Sequence, residues 1–247
     1  MNGIHSNISF GLVNIPIIMT PIIKNNDTTF NQLHKKCNHR INYIKYCKTC
    51  KKEVKESEII KGYEFDKGKY IVFDKKELDI LKPENDHEIE VVSFIDMNEV
   101  PLVYFEKSYY LYADNKSKAY NLFYEVLNKT KMVALAKCVL NSKFYYVILR
   151  FTKDGIIMTT LYFDEEINIP EKDISKKADD KELSLAIKLV NSMKGTFEPE
   201  KYKDEYQNNI KKAINDKLKG KTIKGKIKTN KSQIKNLMEA LEKSLEK

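Results

Sequence analysis

Apolar positions along this chain come first in short β-branched runs and later at helical spacing, with the change near residue 165. ISFGLVNIPIIM, from Ile8 to Met19, is broken by Gly11, Asn14 and Pro16. That predicts a strand, a bend and a second strand, with Pro16 at an edge or bulge. Short strands are expected over Thr29–Leu33, over Lys69–Phe73 after a turn at Asp66–Gly68, and over Glu88–Phe94. Lys75–Leu81 has room for one or two helical turns before Pro83. VYFEKSYYLY, from Val103 to Tyr112, reads as a hairpin turning near Glu106–Ser108. Lys116–Lys129 sets Ala119, Leu122, Phe123, Val126 and Leu127 at helix spacing. Three strands follow, Met132–Leu140, Phe144–Phe151 and Ile156–Phe163, joined by turns at Asn141–Lys143 and Lys153–Gly155. Asp154-Gly155 is the dipeptide that a two-residue type I′ turn selects, because both positions need positive φ. Many short strands with short turns favour a barrel or sandwich.

The pattern then changes. Asp164–Asp180 is acidic, contains Pro170 and reads as a linker. Asp179 is placed to cap a helix, with Glu182 completing a capping box. That helix carries Leu183, Ala186, Ile187 and Val190 on one face and should end at Gly195. Pro199 suits the first turn of a further helix. This one bears Tyr202, Tyr206, Ile210, Ala213, Ile214 and Leu218, and stops at Gly220. Lys219–Lys231 is a basic, glycine-punctuated tether. Ser232–Glu246 then sets Ile234, Leu237, Met238, Leu241 and Leu245 along an amphipathic stripe. A helix of about 15 residues is marginal alone, so it must dock on its own chain or on a partner. The fold expected is mainly β with α (α+β). It comprises a core over 1–165, a linker and helical region over 166–219, and a tether with a terminal helix over 220–247.

Length and composition narrow the class. The 247 residues suffice for a real core, and four cysteines do not make a disulfide scaffold of a chain this long. Met1–Phe10 lacks the basic start and apolar run of a signal peptide, and no apolar stretch approaches the roughly 20 residues that span a bilayer. A soluble, reduced, cytoplasmic protein is expected, with no membrane association. The net charge of +9 is concentrated: +6 over residues 30–62 and +8 over 201–247, against −5 over 63–200. Two basic blocks around an acidic middle point to a polyanion. Only Arg40 and Arg150 are arginines, beside 42 lysines. Lysine meets phosphate as a point charge, whereas arginine is the commoner reader of guanine edges, so backbone binding without sequence readout is expected.

The candidate chemistry lies in LHKKCNHRINYIKYCKTCKKEVKESEIIKGY, Leu33 to Tyr63. His34-x-x-Cys37 and Cys47-x-x-Cys50 are two short donor pairs, nine residues apart, as a tetrahedral structural zinc requires. Cys47-x-x-Cys50 alone could be a redox pair or two ordinary thiols, but Lys51, Lys52 and Val54 poorly open the helix that a thioredoxin-like pair needs. His34 is favoured as the fourth ligand by its spacing; His39, or no protein ligand, remains open. Cys138, in the apolar run VALAKCVL, reads as a buried small hydrophobe.

The order of motifs is similar to a known family. ISFGLVNIPI at Ile8–Ile17 comes first, followed by Leu33-His34 and Tyr46-Cys47-x-x-Cys50. IIKGYEFDKGKYIVF at Ile59–Phe73, VYFEKSYYLY, and KAYNLFYEVL at Lys118–Leu127 come next, with KELSLAIKLV and FEPEKYKDEY within Lys181–Tyr206. In these, over most of its length, the chain resembles bacterial Ku, the DNA-end-binding family of non-homologous end joining. The resemblance implies a Ku-type β-barrel whose long connections form a ring with those of a second identical chain. That homodimer threads onto double-stranded DNA ends without reading sequence, as a cytoplasmic, nucleoid-associated protein. It also implies a zinc-ribbon-like bridge insert over 33–62 and C-terminal helices that engage ligase D. Many bacterial relatives carry a long lysine-rich tail, and the resemblance does not extend to it or to sliding that depends on it. Lys35, Lys36, Arg40, Lys45, Lys48, Lys51, Lys52 and Lys61 are the candidate phosphate contacts. The competing reading is a zinc-ribbon module that binds nucleic acid laterally, without ends. An enzyme is not expected. Asp164, Glu165 and Glu166 read as an exposed acidic turn rather than nuclease carboxylates. No phosphate loop, paired-metal motif or nucleophile–base constellation appears in the sequence, and no small-molecule substrate is expected.

Overall fold

The computed structural model describes residues 3–83, 88–168 and 179–223. They form two units: the first holds residues 3–25 and 32–168, the second residues 26–31 and those from 179 onward.

β1 (Ile4–Phe10) and β2 (Val13–Pro21) pair antiparallel across a turn at Gly11, whose φ of +60° favours glycine. Ile8, Ile15, Ile17 and Met19 alternate inward and are buried. Pro16 lies inside β2. Its carbonyl accepts from Asp114 N–H at 3.1 Å, so its nitrogen faces the place where the neighbouring strand has run out. The missing N–H therefore breaks no ladder.

Residues 32–83 form an arm. It carries the short β3 (Tyr46–Cys47) and β4 (Lys52–Glu53), the hairpin of β5 (Lys61–Asp66) and β6 (Lys69–Phe73), and α1 (Lys75–Ile80). Asp74 caps α1 in a reciprocal box with Glu77, at 2.8 Å each way. The strand expected over Thr29–Leu33 does not form. Leu33 makes only a single bridge to Arg40, and the N–H of Thr28 is taken instead by Gln207 Oε1 at 3.0 Å.

β7 (Glu88–Ile95), β8 (Phe105–Ala113), α2 (Lys118–Thr130), β9 (Val133–Leu140), β10 (Lys143–Thr152) and β11 (Gly155–Leu161) complete the first unit. Seven strands close a barrel in the order β1-β2-β8-β11-β10-β9-β7, with β1 and β7 the one parallel pair. The hairpin expected within Val103–Tyr112 is instead one strand, β8, paired with both β2 and β11. Its turn-like polar residues are satisfied across the sheet. Lys107 N–H donates to Thr160 Oγ1 at 3.0 Å, Thr160 Oγ1 donates to Glu106 at 3.1 Å, and the hydroxyls of Ser108 and Thr159 meet at 2.9 Å.

The type I′ turn is also displaced. Asn141 and Ser142, between β9 and β10, have φ of +52° and +62°. The tight loop at Lys153-Asp154 uses no positive φ, and Gly155 already belongs to β11. α2 lies at one end of the barrel core with Tyr120, Phe123 and Leu127 buried, and Cys138 joins the same cluster, as expected. The packed stripe is rotated from the one read in sequence, leaving Leu122 66% exposed.

In the second unit, Asp179 caps α3 (Asp180–Ser192) by accepting from Lys181 N–H at 2.9 Å. α3 ends before Gly195, where the Ser192 hydroxyl turns back to Leu189 O. Pro199 opens only a single turn, Pro199–Lys201. α4 (Glu205–Leu218) starts afresh under its own cap, Asp204, so the single helix expected from Pro199 is two elements. The terminal amphipathic segment, most of its tether and residues 169–178 of the acidic linker lie outside the described residues.

Candidate nucleic-acid interface

The arm begins with two loops of the same construction. In the first, Leu33 bridges Arg40, His34 N–H donates to His39 O at 2.8 Å, and Asn38 turns the chain with φ +58°. In the second, Tyr46 pairs with Glu53 and Cys47 with Lys52, and Lys51 turns the chain with φ +51°. Each loop points its two donors together: His34 Nδ1 lies 3.1 Å from Cys37 Sγ, and Cys50 N–H donates to Cys47 Sγ at 3.4 Å. His34 corresponds to Cys47, and His39 to Lys52, on the opposite side of the loop. The local geometry therefore pairs His34, not His39, with Cys37. The spacing of the donors was visible in the sequence. The left-handed residue after each second donor was not, although Asn38 is a type that favours it.

The donor chemistry is that of a thiophilic cation, two by two. Backbone N–H groups of Cys50 and Thr49 and the Cys50 thiol hold the Cys47 thiol below its usual range, with Lys52 adding to the effect. The Cys50 thiol is pushed up by its hydrogen bond to Cys47. Among the described residues no three His, Cys, Asp or Glu side chains gather closely enough to hold a metal, so the two pairs are formed but not brought into one coordination sphere.

All eight candidate phosphate contacts are exposed. Lys45 pairs with Glu56, and Lys52 with Glu58 at 3.4 Å. Lys35, Lys36, Arg40, Lys48, Lys51 and Lys61 make no ion pair among the described residues. Lys61 also lines a cleft of about 450 Å³ with Lys75 and Lys82, over a floor that includes Ile59, Ile60, Phe73 and Leu78. The ammonium of Lys82, followed by Lys75 and Lys61, holds the Asp79 carboxyl below the ordinary range. Reading by sequence block missed Lys75 and Lys82, because Lys75 opens α1 and Lys82 lies just past its end, outside the basic block.

The β5–β6 ribbon has no core of its own. Tyr63, Phe65, Tyr70, Ile71 and Val72 are each about half exposed or more, on both of its faces. An isolated two-stranded ribbon is marginal in water, and apolar surface of this extent marks an interaction face. The acidic turn is engaged structurally. Tyr104 OH donates to Asp164 at 2.6 Å, and Glu166 accepts from Phe163 N–H at 2.9 Å, which holds its carboxyl below the usual range. No helix among the described residues is long and apolar enough to cross a membrane.

These features define a closed β-barrel protein whose second strand leads into a bare, lysine-rich arm. Residues 9–185 match the family described as the Ku70/Ku80 beta-barrel domain. The chain is 37% identical to the non-homologous end joining protein Ku of Lachnoclostridium phytofermentans, covering 97% of this chain and 94% of that one. It is 37% identical to the protein of the same name from Bacillus subtilis, over 87% of this chain and 71% of that one. To the Coxiella burnetii protein of that name it is 39% identical, over 87% and 82%. The chain belongs to the Ku family.

Proposed function

We propose that this protein binds double-stranded DNA ends independently of sequence, as a non-enzymatic homodimeric ring, and recruits ligase D in non-homologous end joining. The observation that carries the reading is the family match across the barrel, joined to an arm whose exposed cations are mostly unpaired. Six lysine or arginine side chains without an ion pair among the described residues, on one exposed element, suit phosphate neutralisation, and five of the six are lysines, which suits indifference to base identity. The bare β5–β6 ribbon supports the dimer. Its apolar faces need a cover, and two-fold assembly is the commonest way for identical chains to supply one. The exposed apolar residues of the second unit, Phe197 and Met193 among them, support a protein partner there.

The test is a band shift with linear and covalently closed DNA of equal length. The ring loads on the linear form only. Equal loading on both forms would mean lateral binding by the arm and would defeat the ring.

We further propose that the paired loops hold one structural zinc through His34, Cys37, Cys47 and Cys50. The matched construction of the loops supports this, and binding the ion would draw the two halves together, as small metal-clipped elements fold on their metal. Elemental analysis of the whole protein is expected to find one zinc per chain, lost in Cys47→Ser and His34→Ala but kept in His39→Ala. Zinc retained by His34→Ala and lost from His39→Ala would reverse the assignment.

A further inference from the structure

α3 packs one side and leaves the other bare. Leu185, Ala186 and Leu189 are half-buried, whereas Leu183, Ile187 and Val190 are 49, 52 and 68% exposed. These three form one line along the helix at four- and three-residue steps, and Met193 extends its edge just past the last turn at 75% exposed. With Ala186, Leu183, Ile187 and Val190 make up the apolar face expected from periodicity, and of the four only Ala186 is half-buried. The charges beside it are graded: Asp179, Asp180 and Glu182 outnumber Lys181 at its beginning, Lys188 lies midway, and Lys194 stands at its end.

A further segment of matching character is Ser232–Glu246, beyond the described residues. Its stripe of Ile234, Leu237, Met238, Leu241 and Leu245 would extend about 17 Å as a helix, against about 10 Å from Leu183 to Val190. That length is enough to cover the bare line and reach Met193. Its charges are graded in the complementary sense. Lys231 and Lys235 stand at its beginning, while Glu239, Glu242 and Glu246 outnumber Lys243 and Lys247 toward its end. Length permits the connection. The 13 residues from Lys219 to Lys231 can span about 43 Å, roughly twice the length of a 14-residue helix such as α4.

We propose that residues 232–246 lie as a helix along the exposed Leu183–Ile187–Val190 face of α3 in the same chain, running parallel to it. In this sense the lysines at the start of the segment meet Asp179, Asp180 and Glu182, and its glutamates approach Lys194. The antiparallel sense would set glutamate against aspartate. A partner that uses this face must first displace the segment, so the tail and the partner compete for one surface.

The test is amide hydrogen exchange on the whole protein without DNA, and so is independent of whether the protein binds ends. In the full chain, amides of α3 should exchange about tenfold more slowly than in a chain truncated after Lys231 or in Leu241→Asp. α4 serves as the internal control for folding. Ile187→Asp should free the terminal segment in the same way. Asp180→Lys should weaken the protection, and adding Lys235→Glu should restore it. Unchanged α3 exchange in both Leu241→Asp and the truncated chain overturns the proposal. So does protection that fades on dilution, which would assign the covering segment to a second copy.

Discussion

Charge reversal of Lys35, Lys36, Lys48 and Lys51 together to glutamate is expected to abolish end binding at ordinary ionic strength, with affinity falling at least about a thousandfold. All four side chains are exposed and form no ion pair among the described residues, so reversing their charge breaks none there. Each phosphate neutralised contributes about −0.9 to the slope of log affinity against log salt, so the slope should become shallower by about 3.6 for each arm engaged. The contrast with Lys45 and Lys52 sharpens the test. Those two are already paired with Glu56 and Glu58, and reversing them should cost less. A salt titration by fluorescence anisotropy checks both. An unchanged slope in the quadruple variant would place the DNA elsewhere, with the Lys61–Lys75–Lys82 cleft the next surface to examine.

The second large effect is on stability. Tyr120 is expected to be the costliest residue of α2 to lose. Its hydroxyl donates to Leu111 O at 2.6 Å and accepts from Ile156 N–H at 3.3 Å, bridging β8 and β11 where those two residues pair. Burial pushes the phenol up, so it stays protonated and able to donate. Gly155 beside it holds φ +135°, a conformation that side-chain-bearing residues rarely adopt, while a Cβ there would make only ordinary contact with the hydroxyl at 3.5 Å. Tyr120→Phe leaves a buried carbonyl and a buried amide without their partner, at a cost of about 1–3 kcal/mol. Tyr120→Ala also opens a cavity against Phe123 and the barrel core, for about 3–5 kcal/mol in all. Thermal unfolding should show the midpoint of Tyr120→Ala lowered by about 10 °C. A shift below about 2 °C would mean that α2 is not a structural part of the barrel.

The barrel was legible because its strands obey simple rules. The inward alternation of Ile15, Ile17 and Met19 and the apolar runs of β9 and β11 mark them without any family knowledge. Errors fell where a tertiary partner overrode local chemistry. Glu106 and Lys107 look like a turn until Thr160 is found opposite them, and Asp154-Gly155 yields its turn type to Asn141-Ser142. On α3 periodicity found the helix but not most of its packed side, whereas on α4 Ile210 and Ala213 are half-buried, as their spacing implied, beside a buried Gln207 that it did not mark. Both faces of α3 carry aliphatic residues, so the pattern alone cannot say which is covered. At the candidate site the ligand spacing and the basic block were plain in sequence. The equivalence of the two loops and the pairing of Lys45 and Lys52 were not, because they depend on backbone turns and on which nearby glutamates those turns bring into reach.

The circular strand order carries a consequence for synthesis. When Ala113 leaves the ribosome, β7-β1-β2-β8 can form only an open curved sheet, with β7 and β8 as raw margins. The last three staves fill the gap between those margins, and the cylinder is not complete until Leu161 has emerged. At about 5–20 residues per second this leaves the nascent sheet open for some seconds. Glu88 and Glu90 on one margin, and Glu106 and Lys107 on the other, are charges of the kind that discourage stray strands from adding there.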